Sequence, residues 1–486
     1  MAATKPPAGL HFLIATGVEK PDPKLRKFIR SHVMLGKNRG KTRSMGKKGQ
    51  KTKKGVPSSN SNTSLMNVLD AAEALARPSA TATRVFTTTS QSVLPLTIPR
   101  KFGGDMAAMR FPDTATHSLS PVSFIAKKIL FPLEPCVFFE RKAETWIAPL
   151  TFDPAFLHTM LFTSQYYFDA IAAGKTSALT KVTLHHFLKA LKLLRERMSR
   201  DDDQAALSDT TAAAIMALSG HALMTGDFDS AMNHIEGLHK IVGLRGGVAT
   251  FRSNAKLLIE ILRCDIGMVL HRGSRPVFFN HLTPHETFLP YPDLTELLNL
   301  RGSATMASQY STIAFLDDVD GELSNAWNAL SAFCSVINFA VDSGQYISLD
   351  TYLDTMASVM YRLLSMRFGS RSSGEAVRLG LLVFSSSVLL QWRLLGLSYV
   401  HLTSEFRGCL VRLASTRTSS QLLLWLLMVG AVSPLLIANM GCCDIYSWDK
   451  MQDLLNSFMW IGLVHDKAAR TVFNSTIAYV ETGEAS

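Results

Sequence analysis

Cysteine is scarce in this 486-residue chain, and its spacing is poor for metal binding. The six cysteines are scattered, no C-x-x-C occurs, and the only adjacent pair is Cys442 and Cys443. Structural zinc sites take their ligands at short, characteristic spacings, so the sequence predicts no zinc site. We expect reduced and mostly buried thiols in an intracellular protein. No metal and no other cofactor is predicted.

Catalytic and nucleotide-binding motifs are also missing. The chain contains neither G-x-S-x-G nor G-x-G-x-x-G. The stretch GKNRGKT at 36–42 approaches a phosphate-binding loop, but three residues separate its glycines where the loop needs four. His234 and His239 are five residues apart, whereas H-E-x-x-H places its histidines four apart. These absences predict that the protein is not an enzyme.

Apolar runs long enough to cross a membrane are lacking as well, because a spanning helix needs about 20 apolar residues. The nearest candidates are 379–390, which is too short, and 422–438, which contains Pro434. Both are expected to be buried core helices, and no membrane partner is predicted. The apolar stretch near the N-terminus lacks a small-residue cleavage site, so no secretory signal is expected.

Charge is present in one place above all. Residues 20–54 hold fourteen Lys or Arg and one Asp, a net charge of +13, whereas the whole chain carries +11. The rest of the chain therefore carries about −2. A dense block of one charge stays solvated and binds polyanions through counterion release, with an affinity that falls as salt rises.

This basic arm, residues 20–54, has the composition of a nuclear-import signal and of a DNA-backbone binder. A solvated tail without a partner and a segment lying on an anionic membrane are the alternatives. No aromatic residue follows Phe28 in the arm, so base-specific reading by stacking is not expected. The residues expected to serve nuclear targeting or backbone contact are Lys24, Arg26, Lys27, Arg30, Lys37, Arg39, Lys41, Arg43, Lys47, Lys48, Lys51, Lys53 and Lys54.

The order of compositions along the chain predicts four regions. Residues 1–62 hold a short strand, a basic helix and a disordered basic arm, and 63–114 form a Ser/Thr/Pro-rich linker with room for a short helix. Residues 115–465 form a helical domain, and 466–486 form a C-terminal tail. The predicted fold class is all-α, an irregular multi-helix bundle or stacked helix pairs.

Caps and apolar periodicity set the expected helices of that domain. Asp153 followed by Pro154 is a strong helix start, and Asp227 or Asp229 is expected to cap a helix that ends at Arg245-Gly246-Gly247. A further helix is expected to end at Gly273. Later helices are predicted at 321–343, 350–367, 374–398, 402–416, 419–432 and 448–463.

Several stretches resemble a known family. AMNHIEGLHKIVGLRGGVATFRSNAKLLIEILRCDIGMVLHRGSRPVFF at 231–279 resembles the regulatory domain of fungal-specific transcription factors, through Leu244–Gly247, Asp265 and Arg275–Pro276. ETWIAPLTFDPAFLHTMLFTSQYYFD at 144–169, EAVRLGLLVFSSSVLLQW and LLLWLLMVG look like other parts of it, and RSHVMLGKNRGK is similar to the start of the subgroup without a zinc cluster. Arg245 is interpreted as structural, pairing with a helix end or with Asp265.

The resemblance implies a nuclear regulator of gene expression, often of secondary-metabolite or stress genes. The family's zinc cluster needs six cysteines, and this chain has none before Cys136, so zinc binding is not implied and direct DNA binding is left open. The implied partners are a nuclear import receptor, the DNA backbone, and a second helical domain in a homo- or heterodimer. A non-catalytic helical scaffold that binds other proteins is the alternative from another class.

Overall fold

A computed structural model describes residues 133, 135–138, 148–173, 181–200, 202–280, 287–299, 320–370, 372–390, 398–413, 419–431 and 436–482. The basic arm, its predicted strand and helix, and the 63–114 linker lie outside these residues. Within them 79% of the residues are helical and 1% are in strands, which confirms the all-α prediction.

The described residues form sixteen α-helices, a 3₁₀ helix, a π-helix and one pair of parallel strands. The helices are α1 Ala148–Phe152, α2 Pro154–Ala173, α3 Lys181–Met198, α4 Asp203–Ala206, α5 Asp209–Thr225, α6 Phe228–Leu244, α7 Ala255–Arg272, α8 Thr295–Asn299, α9 Gly321–Ser343, α10 Leu349–Ser365, α11 Ser373–Ser385, α12 Val400–Leu413, α13 Ser420–Val429, α14 Leu436–Cys442, α15 Trp448–Phe458 and α16 Gly462–Thr482. The 3₁₀ helix is Val248–Asn254, the π-helix is Ser386–Leu390, and strands β1 Val137–Phe138 and β2 Ile347–Ser348 pair with each other.

Helix α7 is the central helix of the domain. All fourteen residues from Leu257 to Leu270 are buried, and α7 packs against α5, α6, α10 and α12. A helix surrounded on every side must be apolar nearly all round, and the sequence LLIEILRCDIGMVL meets that need apart from its charged residues. These charged residues, Glu260, Arg263 and Asp265, are buried with the rest of the helix.

Helix boundaries in the first half follow the expected caps. Asp153 accepts a hydrogen bond from the Phe156 amide at 3.0 Å, and Asp227 accepts one from the Ser230 amide at 3.2 Å. Of the two residues proposed to cap α6, Asp227 is therefore the one that does so. Gly273 ends α7 with a φ of +72°, a left-handed conformation that favours glycine, and a Cβ there would require the exposed His401 ring to move.

Two later helices differ from their predicted extents. The helix expected over 374–398 is α-helical to Ser385 and then continues as the π-helix to Leu390; residues 391–397 lie outside the described set. The hydroxyls of Ser386 and Ser387 donate to the Val383 and Phe384 carbonyls at 2.8 and 2.7 Å, competition of a kind that distorts the regular α-helical ladder.

The helix predicted over 448–463 ends at Phe458, and the chain restarts as α16 at Gly462. In the region predicted as a C-terminal tail, 466–486, helix α16 runs to Thr482 with Ala469, Phe473 and Thr476 buried. Core packing of an amphipathic helix explains the difference.

One described helical segment is long and apolar enough to cross a membrane by composition alone. It is Ser373–Leu390, and 72% of it is buried inside the protein. Buried core helices of soluble proteins pass the same test. The segment 422–438, the other candidate from the sequence, is α-helical from 422 to Val429, and Leu422–Met428 are all buried.

Candidate functional site

A cavity of about 370 Å³ opens beside the central helix. Its wall is mostly apolar and comes from three places: the turn between α5 and α6, one face of α7, and the three residues Leu390, Ser398 and Tyr399. The lining residues are Leu223, Met224, Thr225, Gly226, Phe228, Arg263, Cys264, Gly267, His271, Leu390, Ser398 and Tyr399. Small-molecule sites have this character, apolar walls with a few polar groups.

One residue of the cavity wall, Arg263, belongs to a buried ion pair. The Arg263 side chain is 3% exposed, and its guanidinium donates to both carboxylate oxygens of Glu260, each at 3.2 Å. The same guanidinium also donates to the Leu390 carbonyl, at the end of the π-helix. Burying a lone charge is costly, so the two opposite charges one helical turn apart neutralise each other inside α7. The wall therefore carries no net charge from this pair.

Two ionisable groups at the cavity stay in their neutral forms. Burial raises the pKa of the Cys264 thiol to about 12, and burial also raises the pKa of the Tyr399 hydroxyl. A thiol held protonated is a poor nucleophile. The arrangement therefore suits binding through contact and hydrogen bonding.

At the cavity rim, His271 lies flat against Phe228, with ring centroids 3.8 Å apart and an interplanar angle of 18°. Its Nδ1 lies 3.0 Å from the Ser398 carbonyl oxygen. This contact joins the end of α7 to the chain that leads into α12. It holds Ser398 and Tyr399 beside the helix.

The wall also contains Gly267. A Cβ at this position would meet only the Tyr399 Cε1 atom, at an ordinary contact distance of 3.8 Å. The backbone of α7 thus leaves space that a larger side chain would fill. Gly267 gives the cavity part of its volume.

Asp265, one of the residues that carried the family resemblance, lies on the same helix and anchors the segment after it. Its carboxylate accepts hydrogen bonds from the Val277 and Phe278 amides at 2.9 and 3.1 Å, and from the Tyr361 hydroxyl at 2.9 Å. Burial raises the Asp265 pKa to about 6, although these three hydrogen bonds oppose the rise. Asp265 is a structural residue that joins α7, the 277–278 backbone and α10.

Arg245 pairs with helix ends, which was one of its two predicted roles; it does not pair with Asp265. Its guanidinium contacts the Asp209 carboxylate at the start of α5 at 2.5 Å and the Leu207 carbonyl at 3.3 Å, and it lies 3.8 Å above the Phe251 ring. The following Gly246 and Gly247 take φ values of +98° and +100°, which confirms the predicted stop after α6. Of the other residues in the resemblance, Leu244 is 74% exposed and Arg275 is exposed.

The structure and the sequence emphasise different residues. All thirteen basic residues predicted for nuclear targeting and DNA contact, from Lys24 to Lys54, lie outside the described residues. The cavity and its residues Arg263, Gly267 and Tyr399 were not predicted. One signal was available: Glu260 and Arg263 stand three residues apart in an otherwise apolar run.

Among the described side chains, no group of three or more His, Cys, Asp and Glu residues is placed to hold a metal ion. His158 and His186 approach closely, with their Nδ1 atoms 2.8 Å apart, and join α2 to α3. A hydrogen bond between two imidazoles needs one donor and one acceptor, so this pair shares a proton.

Comparison of the chain with family models, with curated proteins and with solved structures finds no match. The resemblance to fungal-specific transcription factors thus remains an expectation from the sequence.

Proposed function

We propose that this protein is a transcription-factor-like regulator of fungal gene expression, with a secondary-metabolite gene cluster among its candidate targets. In this proposal the basic arm carries the chain into the nucleus and contacts the DNA backbone without reading its sequence. The helical body is the regulatory part, and the cavity beside α7 is where it responds to a small molecule.

The observation that carries the proposal is the separation of charge. The arm holds a net +13 within residues 20–54, while the rest of the chain sums to −2. A near-neutral body gains little attraction to a polyanion, so any affinity for DNA or for an import receptor's acidic groove has to come from the arm. The mostly apolar cavity supports a second, separate role for the body, the binding of a small molecule.

Deleting residues 20–54 is expected to abolish nuclear accumulation, because the deletion removes nearly all of the excess positive charge. The measurement is fluorescence microscopy of a tagged full chain in a filamentous fungus. A deletion of the same length over 63–97, in the Ser/Thr/Pro-rich linker, is the matched control and should leave the protein nuclear. Persistent nuclear accumulation without 20–54 would remove the proposed role of the arm.

Binding of the purified chain to a random-sequence DNA duplex is expected to be strongly salt-dependent. If the arm neutralises six or more phosphates, affinity should fall roughly a thousandfold between 50 and 200 mM salt. Fluorescence anisotropy with a labelled duplex measures it, and the 20–54 deletion should show no such binding. Equal affinity for several unrelated duplexes is expected, and a strong preference for one of them would contradict backbone-only contact.

DNA association and changes in gene expression distinguish the regulator from the alternative, a scaffold without a transcriptional role. Chromatin immunoprecipitation of the tagged chain, with and without the arm, tests DNA association directly. A transcriptome of the deletion strain should show one coherent set of changed genes. A scaffold without a transcriptional role predicts no such set.

A further inference from the structure

We propose that the cavity beside the central helix binds a small, uncharged, mostly apolar molecule that carries a hydrogen-bonding oxygen. The inference rests on the proposed function only in the sense that the bound molecule would be the regulator's effector. Its physical basis is the wall itself: its size, its charge and one hydroxyl.

Size and polarity set the first limits. A volume of about 370 Å³ falls at the lower end of the roughly 300–1,000 Å³ typical of small-molecule sites. Leu223, Met224, Phe228 and Leu390 are apolar side chains of the wall. An apolar wall favours an apolar ligand, because the free energy of binding improves in proportion to the apolar surface that the ligand removes from water.

The charges of the wall restrict the charge of the ligand. The one full positive charge in the wall, on Arg263, already faces Glu260 through two hydrogen bonds and also donates to the Leu390 carbonyl. A ligand carboxylate or phosphate brought to Arg263 would add a second buried negative charge beside Glu260, which is unfavourable. A neutral ligand avoids this cost.

The hydroxyl of Tyr399 in the wall favours a ligand with a hydrogen-bonding oxygen. Tyr399 is only 7% exposed and lines the cavity. A phenolic hydroxyl can both donate and accept a hydrogen bond. A ligand oxygen next to Tyr399 would accept or donate that hydrogen bond and fix the orientation of an otherwise apolar molecule.

The test uses Nile red, a neutral apolar dye with a carbonyl oxygen, on the purified full chain. We expect saturable binding of one dye per chain with a blue shift of its emission. Gly267→Leu should weaken binding at least about tenfold, because the added side chain fills the cavity beside Tyr399. Gly243→Leu, on α6 where a Cβ meets nothing within 4 Å, is the matched control and should bind normally.

Tyr399→Phe provides a variant that keeps the packing and removes only the hydroxyl. It should weaken Nile red binding about 5- to 10-fold, the usual cost of one neutral hydrogen bond. Circular dichroism of each variant checks that the helices remain. The anionic dye 8-anilinonaphthalene-1-sulfonate, of similar size, should bind at least tenfold more weakly than Nile red.

Three results would overturn the inference: no saturable Nile red binding, equal binding by folded Gly267→Leu and the unaltered chain, or tighter binding of the anionic dye. These results are independent of the arm. If Nile red binds as expected while deletion of 20–54 leaves nuclear accumulation unchanged, the proposed binding site is supported and the proposed role of the arm is contradicted. If dye binding fails while the deletion abolishes nuclear accumulation, the regulator stands without this effector site.

Discussion

Replacing Asp265 with alanine is expected to lower the free energy of unfolding by about 3 kcal/mol at pH 7. The carboxylate accepts three hydrogen bonds in a fully buried place, from the Val277 amide, the Phe278 amide and the Tyr361 hydroxyl. Alanine leaves all three donors buried without an acceptor, and each unsatisfied group carries its own desolvation cost. Relief of the cost of burying the charge offsets part of this loss. Urea unfolding followed by circular dichroism measures the difference.

Two control variants distinguish the effect of losing buried hydrogen bonds from the effect of losing an aspartate charge. Asp229→Ala also removes an aspartate, one that pairs with Arg272 at 2.8 Å but is 86% exposed, and should cost less than about 1 kcal/mol. Tyr361→Phe removes one donor and leaves the other two bonds, so about 1 kcal/mol is expected. A loss below 1 kcal/mol in Asp265→Ala would mean that the 277–278 segment is held mainly by other contacts.

Local chemistry explains why most helix starts and stops could be predicted. A cap involves residues three or four apart, such as Asp153 with the Phe156 amide, and a glycine stop such as Gly273 needs only its own backbone. These signals lie within one stretch of sequence, so a single chain is enough to find them. The all-α class follows from the same local periodicity.

Contacts between distant segments were beyond that reasoning. The Asp265–Tyr361 bond joins residues 96 apart, and the Arg252–Asp354 pair joins residues 102 apart. Periodicity places each residue on a face of its own helix but does not say which helix faces it. The cavity is missing from the sequence prediction for the same reason. Arg263 and Tyr399 belong to different parts of the chain, and only the packing of α7 brings them together.

The basic arm, in contrast to the cavity, is predicted from the amino-acid composition alone and requires no knowledge of how helices pack. Its charge density is visible by counting residues, and its proposed partners follow from electrostatics alone. The proposed function therefore combines one element seen only in the sequence with one seen only in the fold. Nuclear localisation tests the first, and dye binding tests the second.

Acidification from pH 7.5 to 5 is expected to lower the free energy of unfolding by about 2–3 kcal/mol through two partly buried histidines and one buried aspartate. Burial lowers the pKa of His221 and of His465 to about 4, against an ordinary 6.5. Between pH 6.5 and 4 the unfolded chain therefore binds more protons at these sites, and stability falls as pH falls. Each histidine accounts for about 2 kcal/mol of that loss.

Asp265 acts in the opposite direction. Its pKa is raised from 3.8 to about 6, so the folded chain binds more protons there between pH 6 and 3.8, and stability rises by roughly 1 kcal/mol on acidification to pH 5. The two histidines together outweigh this gain. Urea unfolding at pH 7.5, 6 and 5 should show a progressive loss.

His221→Phe isolates one of the two histidines. The His221 ring lies among aromatic rings, with centroid distances of 4.6 Å to Phe162 and 4.4 Å to Tyr166, and within the described residues its Nδ1 has no hydrogen-bond partner. Phenylalanine keeps the ring and removes the titrating nitrogen, so stability at pH 7.5 should stay the same or rise.

The loss between pH 7.5 and 5 should shrink by about 2 kcal/mol in the His221→Phe variant. Leu184→Phe, which adds an aromatic ring at an exposed position of α3, controls for added apolar surface and should keep the full pH dependence. An unchanged acid loss in His221→Phe would show that His221 is protonated in the folded chain at an ordinary pKa. Its burial among aromatic rings makes that outcome physically costly, because a buried imidazolium without an acceptor must give up its hydration.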